Sequence, residues 1–373
     1  MTTALHFASD GVRKFRTAVS LHSHTLHSRE TLACLYTFAR HSRTGRKALQ
    51  YFERRFRQAH GVRLDLNRGW WTPPLSAQAA WLLEKQNIQD RFELSALVSL
   101  SDHDDIEAPM SLRVLSQSRA IPISLEWTVP FENTFFHLGI HNIPVERARA
   151  AAGEFSAYTN APTPERLAEL MEWTALPHET LVVFNHPFLD ESGIGDTAHE
   201  AAIKSFAAKY GRFVHAVEIN GMRPWQENKR AIEFAKFIGR PAISGGDRHG
   251  MEANTILNLT NSANFSGFAE EIRSGQSSVL VTEQYREPFA MRILQNVEEM
   301  TRNLDDHGLG WSRWSDRVFY QFEDGRVRSL TELFGNQVPR PAAMLFRAIE
   351  LFRSPHVRRV IRLTPLGQQS SLM

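Results

Sequence analysis

Cysteine is almost absent: one residue, Cys34, in a chain of 373. A single thiol forms no internal disulfide, so a disulfide-stapled fold is excluded, and a reducing cytoplasm is the expected setting. Long apolar runs are missing too. None reaches the roughly eighteen residues that a spanning helix needs. The stretch Met1–Val19, with Ser9, Asp10, Arg13, Lys14 and Arg16, lacks the continuous apolar core of an export signal. Net charge is small, +2 from 43 basic and 41 acidic residues, so the sum alone points to no polyanionic partner. Glycine and proline, at 21 and 17 residues, are not in excess, which excludes fibrous and low-complexity chains. What remains is a globular composition, 42% hydrophobic and 23% charged, long enough for one large domain or two modest ones.

The near-zero sum hides two basic segments. Residues 40–57 carry seven Lys or Arg against one Glu, and residues 338–373 carry six Arg against one Glu. Each is expected to be a solvated helix face. Within the second, 338–362 reads as an amphipathic helix with Leu345, Ile349 and Phe352 on one side. Packing against the body of the protein is the preferred role, and peripheral contact with an anionic membrane is the alternative. The 40–57 segment has no recognised nucleic-acid motif, and no nucleic-acid partner is expected.

Through the middle of the chain, short apolar runs alternate with amphipathic stretches. The spacing predicts strands at Thr17–His22, Ala96–Ser101, Ile121–Trp127, Phe135–Ile140, Leu181–Asn185, Phe213–Ile219 and Pro241–Gly245. Most are continuously apolar, as strands buried on both faces are. Thr163 and Pro164 open one predicted helix, and Gly239 closes another that runs from Trp225 to Ile238. Strands alternating with helices argue for a parallel α/β sheet or barrel. Two regions break the rhythm. Residues 31–95 read as an inserted helical subdomain with an aromatic, proline-rich break at Trp70–Pro74, since a structureless loop of that length is improbable. From about 281 the pattern turns mostly helical, as in Ala342–Phe352, so residues 1–280 are taken as the main domain and 281–373 as an extension. The last ten residues, 364–373, read as a frayed tail.

Histidine is what the sequence has in quantity, sixteen residues, several beside Asp or another His. His22 and His24 end the first predicted strand, where residues two apart share a face and aim at one point. Asp102-His103-Asp104-Asp105 follows the second strand, Glu126 lies in the third, and His137 in the fourth. Asn185-His186-Pro187 ends another, and Asp247 and His249 follow the last. Each has an ordinary explanation by itself: a surface His pair, a solvated acidic turn, a satisfied core histidine. Together they place His, Asp or Glu near the C-terminal ends of at least six strands, which an α/β barrel gathers in one mouth. Nitrogen and carboxylate donors without thiolate suit Zn²⁺, Mn²⁺ or iron. The candidates exceed what one ion takes. Two or three ions bridged by a carboxylate, with Glu126 as the bridge, would use them, and clustered ions suit phosphate ester hydrolysis.

The ordered series His-x-His (His22, His24), Asp-His-Asp (Asp102–Asp104), an isolated Glu126, a slightly divergent His-x-x-Gly run at His137, His-Pro (His186, Pro187) and Asp-x-His (Asp247, His249) resembles the polymerase and histidinol phosphatase (PHP) family. The resemblance spans roughly 18–255, interrupted by the 31–95 insertion. It implies a distorted (β/α)7 barrel with the helical insertion after its first strand and a mostly helical C-terminal extension. It also implies a two- or three-metal site and phosphoesterase activity. By the same resemblance His22, His24, His103, Glu126, His137, His186, Asp247 and His249 bind metal. A further ligand usually follows the first motif, and here Glu30 fits by spacing, with His27 in reserve. His103, Glu126 and Asp247 are the expected catalytic residues, and Asp102 and Asp104 their supports. The family commonly begins its first motif with Asp-Leu-His. This chain has Ser20-Leu21-His22, so the carboxylate that would orient an imidazole is missing from that position.

A phosphorylated small molecule or nucleotide is the implied substrate. Arginine is the bidentate partner for phosphate, and Arg29, Arg223 and Arg248 are the candidates, although Arg248, between two ligands on a strand end, is expected to point away from them. Trp70 and Trp71 are expected to anchor the insertion or to form an aromatic wall. Two alternatives stand beside the phosphoesterase: an amidohydrolase-like enzyme, and a metal-stabilised scaffold or regulatory module without catalysis. The first alternative often needs a lysine on a middle strand, and none of the predicted mid-chain strands has one.

Overall fold

A computed structural model describes residues 2–7, 11–305, 307–335, 349–351 and 354–362. In chain order its strands are β1 (Thr2–His6), β2 (Thr17–Ser20), β3 (Glu30–Thr31), β4 (Gly69–Trp71), β5 (Ser95–Val98), β6 (Leu125–Phe131) and β7 (Thr134–His141). They continue with β8 (Leu181–Asn185), β9 (Ala216–Asn220), β10 (Ala242–Gly245), β11 (Ile256–Thr260), β12 (Gln276–Val281), β13 (Val318–Gln321) and β14 (Val327–Ser329). The helices used below are α1 (Cys34–His41), α2 (Arg43–His60), α3 (Ala77–Phe92), α4 (Glu107–Leu112), α5 (Val145–Asn160), α6 (Pro164–Ala175), α7 (Asp196–Tyr210), α8 (Trp225–Phe237) and α9 (Phe265–Arg273). The fold is mixed α/β. One five-stranded sheet runs β1-β12-β11-β2-β5, another β10-β9-β8-β7-β6, and a four-stranded sheet runs β14-β13-β4-β3.

Every strand expected from the sequence is present, β8 (Leu181–Asn185) with the expected bounds and the others with shifted ends. The expectation of parallel pairing holds only in part. β2 pairs β5 in parallel, as do β8 with β9 and β9 with β10, but β7 is antiparallel to both β6 and β8. The reason is the connection: Phe131 pairs with Thr134, leaving two residues, Glu132 and Asn133, to turn the chain. A parallel crossover needs about a dozen residues. Strands β1, β11 and β12 were not expected. β11 is antiparallel to both of its neighbours, β2 and β12.

Apolar side chains of the two large sheets meet in the interior. Val19 and Leu21 pack with Leu181, Val183, Ala216 and Ile243, and Phe265, Phe268 and Ile272 of α9 join them. On the outer face of β6–β9 a larger core buries Trp127, stacked on Phe155 with ring centroids 4.4 Å apart, beneath α5 to α8. Local signals start these helices where the sequence placed them: the Thr163 hydroxyl accepts from Arg166 N with Pro164 in the first turn, and Gly239, at φ 67°, follows α8. At one end the sheets also touch. Gly246 N donates to Leu21 O (2.9 Å) and His24 N to Arg248 O (2.9 Å), while Glu126 N donates to Asp102 O (3.0 Å) and Asp104 N to Glu126 O (2.8 Å).

The insertion departs from expectation. It holds α1, α2 and α3, but also β3 and β4, and β4 pairs with β13 of the C-terminal segment. Trp70 stacks on Phe319 at 5.6 Å, and Phe56 of α2 packs on Tyr320. The extension is therefore not simply helical: it donates two strands to a sheet shared with the insertion. The amphipathic reading of 338–362, with Leu345 and Phe352, and the tail 364–373 fall largely outside the described residues, although Pro355–Arg362 is helical. Among the described residues no helix is long and apolar enough to cross a membrane.

One buried polar network ties α3 to the two sheets. Glu84, fully buried, accepts from Ser20 Oγ (2.9 Å), Arg248 Nε (3.0 Å) and Asn254 N (3.1 Å). Burial pushes its carboxyl up against the pull of Arg248. Removing one member of a buried pair leaves the other charge unpaired. Glu84→Ala should thus lower unfolding free energy by about 3–5 kcal/mol in urea titration; a loss below about 1 kcal/mol would show that the pair is not a structural tie.

Candidate metal centre

The chain reaches the rim by leaving regular strand geometry. β2 stops at Ser20 and β10 at Gly245. Beyond them His22 (φ 61°) and Asp247 (φ 54°) sit in the left-handed region, as do Asp104 (φ 52°) and His186 (φ 23°). Such conformations cost about 1–3 kcal/mol each and persist where the surroundings over-determine them. The expected geometry, two imidazoles two apart on one strand face, is therefore wrong in detail. His22 and His24 still meet, with ring centroids 5.0 Å apart, because the turn redirects the first of them. Nor do all ligand candidates lie at C-terminal strand ends. Glu126 is the second residue of β6, which continues past the rim, and β7 brings His137 back from the far side of the hairpin.

Glu126 is the centre, with no solvent access. Its Oε2 lies 2.9 Å from His22 Nε2 and 3.4 Å from both His24 Nε2 and His103 Nδ1. Its Oε1 lies 3.1 Å from His186 Nε2, 3.7 Å from His137 Nδ1, and accepts from Asn185 Nδ2 at 2.9 Å. Asp247 Oδ1 faces His22 Nε2 (3.7 Å), His24 Nε2 (3.5 Å) and His249 Nδ1 (3.4 Å). Glu30, on β3, faces His103 Nε2 and His249 Nε2 at 3.3 Å each, and His24 Nδ1 at 3.8 Å. All nine sequence-derived ligand candidates, His22, His24, Glu30, His103, Glu126, His137, His186, Asp247 and His249, thus converge.

The donor atoms fall into small groups that fit divalent ions: His22–His24–Asp247, His24–Glu30–His103–His249, His103–Glu126–His137 and His22–Glu126–His186. Metal–ligand bonds near 2.1 Å in a tetrahedron put ligand atoms about 3.4 Å apart, the separation seen around Asp247 and Glu30. These gaps are too long for good hydrogen bonds. His24 Nε2, buried between two carboxylates, has no hydrogen-bond partner. The protonation states say the same. Burial lowers the basicity of His186, yet Glu126, Asp247 and Glu218 outweigh it and push its pKa up to about 9. His24, buried beside His249, is held down at about 3 and offers a free lone pair. Despite burial, the imidazoles hold Glu126, Asp247 and Glu30 well below the usual carboxylate range.

Supports for the ligands come from places the sequence did not advertise. Glu218, on β9, has Oε1 2.5 Å from His22 Nδ1 and accepts from His186 N through Oε2 at 2.9 Å. It supplies from another strand the orienting carboxylate missing before His22. Gly245 is required beneath it, since a Cβ there would lie 1.6 Å from Glu218 Oε1. Asp102 accepts from Thr25 N and Oγ1, and Asp104 from Thr128 N at 2.9 Å, so both fix backbone near the ligands. Glu191, on the loop after β8, was also missed, and its Oε1 lies 3.3 Å from His137 Nδ1. Each missed residue sits in an ordinary strand or loop context, and only the tertiary fold brings it here. His27 joins none of these groups.

The three arginines part company. Arg248 turns away from the cluster, as its position between two ligands suggested: its Nε meets Glu84, Nη1 donates to Gly250 O (2.9 Å) and Nη2 to His24 O (3.0 Å). All three of its nitrogens are thereby engaged away from the cluster. Arg29 is exposed and lies over the Trp70 ring at 5.1 Å. Arg223 is paired with Glu227 through two nitrogens, at 2.7 and 2.8 Å, within the electrostatic reach of Asp247 and Glu191. Trp71, 5.7 Å from His249, stands at the open side of the cluster.

The chain matches no family model and no curated protein. Among solved structures, PsfC from Pseudomonas syringae aligns at 14% identity and TM-score 0.42, over 76% of this chain and 98% of that one. An amidohydrolase from Chromobacterium violaceum, solved with sulfate and no metal, aligns at 17% and 0.30, over 48% and 84%. A protein designated a metal-dependent phosphoesterase, from Bifidobacterium adolescentis, aligns at 12% and 0.31, over the same shares. Similarities this slight decide neither fold nor function.

Two outcomes follow from the cluster. His186 gains basicity on folding, so its pairing stabilises the metal-free protein fully below pH 6.5 and is lost as pH rises through about 9. Melting temperature of the metal-free protein should fall across that window, and Mn²⁺ or Zn²⁺ should abolish the fall by taking the proton's place. A flat profile without metal would contradict this. Second, Glu218→Gln should weaken metal binding about 10–100-fold in calorimetry; unchanged affinity would show that His22 needs no carboxylate behind it.

Proposed function

We propose that the chain is a metal-dependent phosphoesterase with a two- or three-ion centre of Zn, Mn or Fe. The observation that carries the reading is the buried Glu126 carboxylate among five imidazoles at 2.9–3.7 Å, an arrangement suited to a bridging ligand. When bound, clustered divalent ions lower the pKa of water and neutralise phosphoryl oxygens. The chain's own residues do the rest. Glu126 and Asp247 would hold the ions, and Glu218 holds His22 with Nε2 inward. His103 and His249, the less buried imidazoles, meet solvent, His249 beside Trp71, and a leaving alkoxide would take its proton on that side. Within the same proposal, the seven strands β2 and β5–β10 are read as a distorted (β/α)7 barrel, with residues 1–280 as its domain and 281–373 as an extension; the rim contacts between β2 and β10 and between β5 and β6 support that reading.

The amidohydrolase-like alternative often bridges its ions through a lysine on a middle strand. No lysine lies on β5 to β10, and Glu126 is the residue that would bridge the ions instead. A non-catalytic scaffold would keep the ions without turnover. Hydrolysis of p-nitrophenyl phosphate with Mn²⁺ separates the readings. Wild type should turn over, and His103→Ala and Glu126→Gln should each fall by about 100-fold or more. Equal turnover in wild type and His103→Ala would remove the phosphoesterase reading.

A further inference from the structure

The described ligands leave one ion position short of donors. His137 Nδ1 and His186 Nε2 both face Glu126 Oε1, at 3.7 and 3.1 Å, but that carboxylate is shared with three other imidazoles through its second oxygen. Two imidazoles and a shared carboxylate leave room at such a position for a further anionic donor. We propose that Glu191 is a tenth metal ligand, forming with His137 and His186 a three-donor position for a third ion beside Glu126.

Glu191 meets the requirement in place, charge and rigidity. Its donor atom and those of His137 and His186 lie within 4.8 Å of one another, and Oε1 is 3.3 Å from His137 Nδ1, near the ligand–ligand edge of a tetrahedral site. The loop that carries it is pinned. Leu189 N donates to His186 O at 3.0 Å, Asp190 accepts from Ile194 N and Gly195 N at 3.2 and 2.7 Å, and His199 Nε2 lies 2.9 Å from Pro187 O. A pinned loop limits the entropy lost on coordination. The glutamate also adds a fourth carboxylate to Glu30, Glu126 and Asp247, which lowers the excess positive charge that three divalent ions would bring to a buried site. Its side chain is 31% exposed, against none for Glu126, so it is the donor on the solvent side of this position.

Glu191 as a ligand rests on the metal-centre reading above, but not on which bond is cleaved. The test therefore reads metal alone. Metal-free wild type, Glu191→Gln, His137→Ala and the remote control Glu146→Gln are titrated with Mn²⁺ and with Zn²⁺ by calorimetry, and ions per chain are counted by mass spectrometry after desalting. Circular dichroism and melting of the metal-free proteins check that each variant folds. The expected result is that Glu191→Gln and His137→Ala lose one ion, or bind it at least about tenfold more weakly, while Glu146→Gln matches wild type. A folded Glu191→Gln protein with wild-type ion count and affinities overturns the assignment and leaves Glu191 an ion-pair partner of His137. An inactive wild type that still shows the Glu191 effect would sink the phosphoesterase reading and keep this one.

Discussion

A carboxylate without solvent access needs hydrogen bonds or positive charge around it, and the buried Glu126 has five imidazoles within 3.7 Å. Most of the structure near the rim serves that one constraint. Without cations, the imidazoles must carry protons to balance three carboxylates, which is why His22, His103 and His186 are driven upward in pKa while His24 is driven down. Divalent ions relieve the same imbalance without protons and satisfy nitrogens that hydrogen bonds do not reach.

The constraint explains features that look unrelated. Four residues around the cluster hold left-handed backbone, a strain that fixed partners must hold in place. Glu218 and Gly245 form a matched pair: the glycine leaves room for the carboxylate that orients His22. Glu84 and Arg248 anchor the backbone of His24 from behind, through α3 of the insertion. Glu30 arrives on β3, whose sheet is completed by β13 from the far end of the chain. The segments 31–95 and 281–373 thus both help to frame the candidate metal centre.

What the sequence revealed was mainly local chemistry. The His-x-His, Asp-His-Asp, His-Pro and Asp-x-His motifs carry six of the nine donors that converge; Glu126 and His137 were read from their strands, and Glu30 from the family resemblance. The alternation of apolar runs also located the strands of the large sheets that bear them. Direction was not legible from apolarity. β7 reverses because a two-residue turn precedes it, and that turn, Glu132-Asn133, lacks the glycine that would have marked it. Asp324-Gly325, by contrast, did signal the β13–β14 hairpin, and the helical reading of the extension passed over it. Glu84, Glu191 and Glu218 were not singled out, since the partners that mark them, Ser20, His137 and His22, lie more than fifty positions away.

The central claim is that these nine donors form a binding centre for divalent ions. Crystals grown with Mn²⁺ and measured at an X-ray energy where manganese scatters anomalously test it most directly. The account predicts two or three anomalous peaks, each within about 2.5 Å of at least three of the named donor atoms and one pair bridged by Glu126. A well-ordered cluster with no such peak, its imidazoles bonded only to carboxylates, would contradict it.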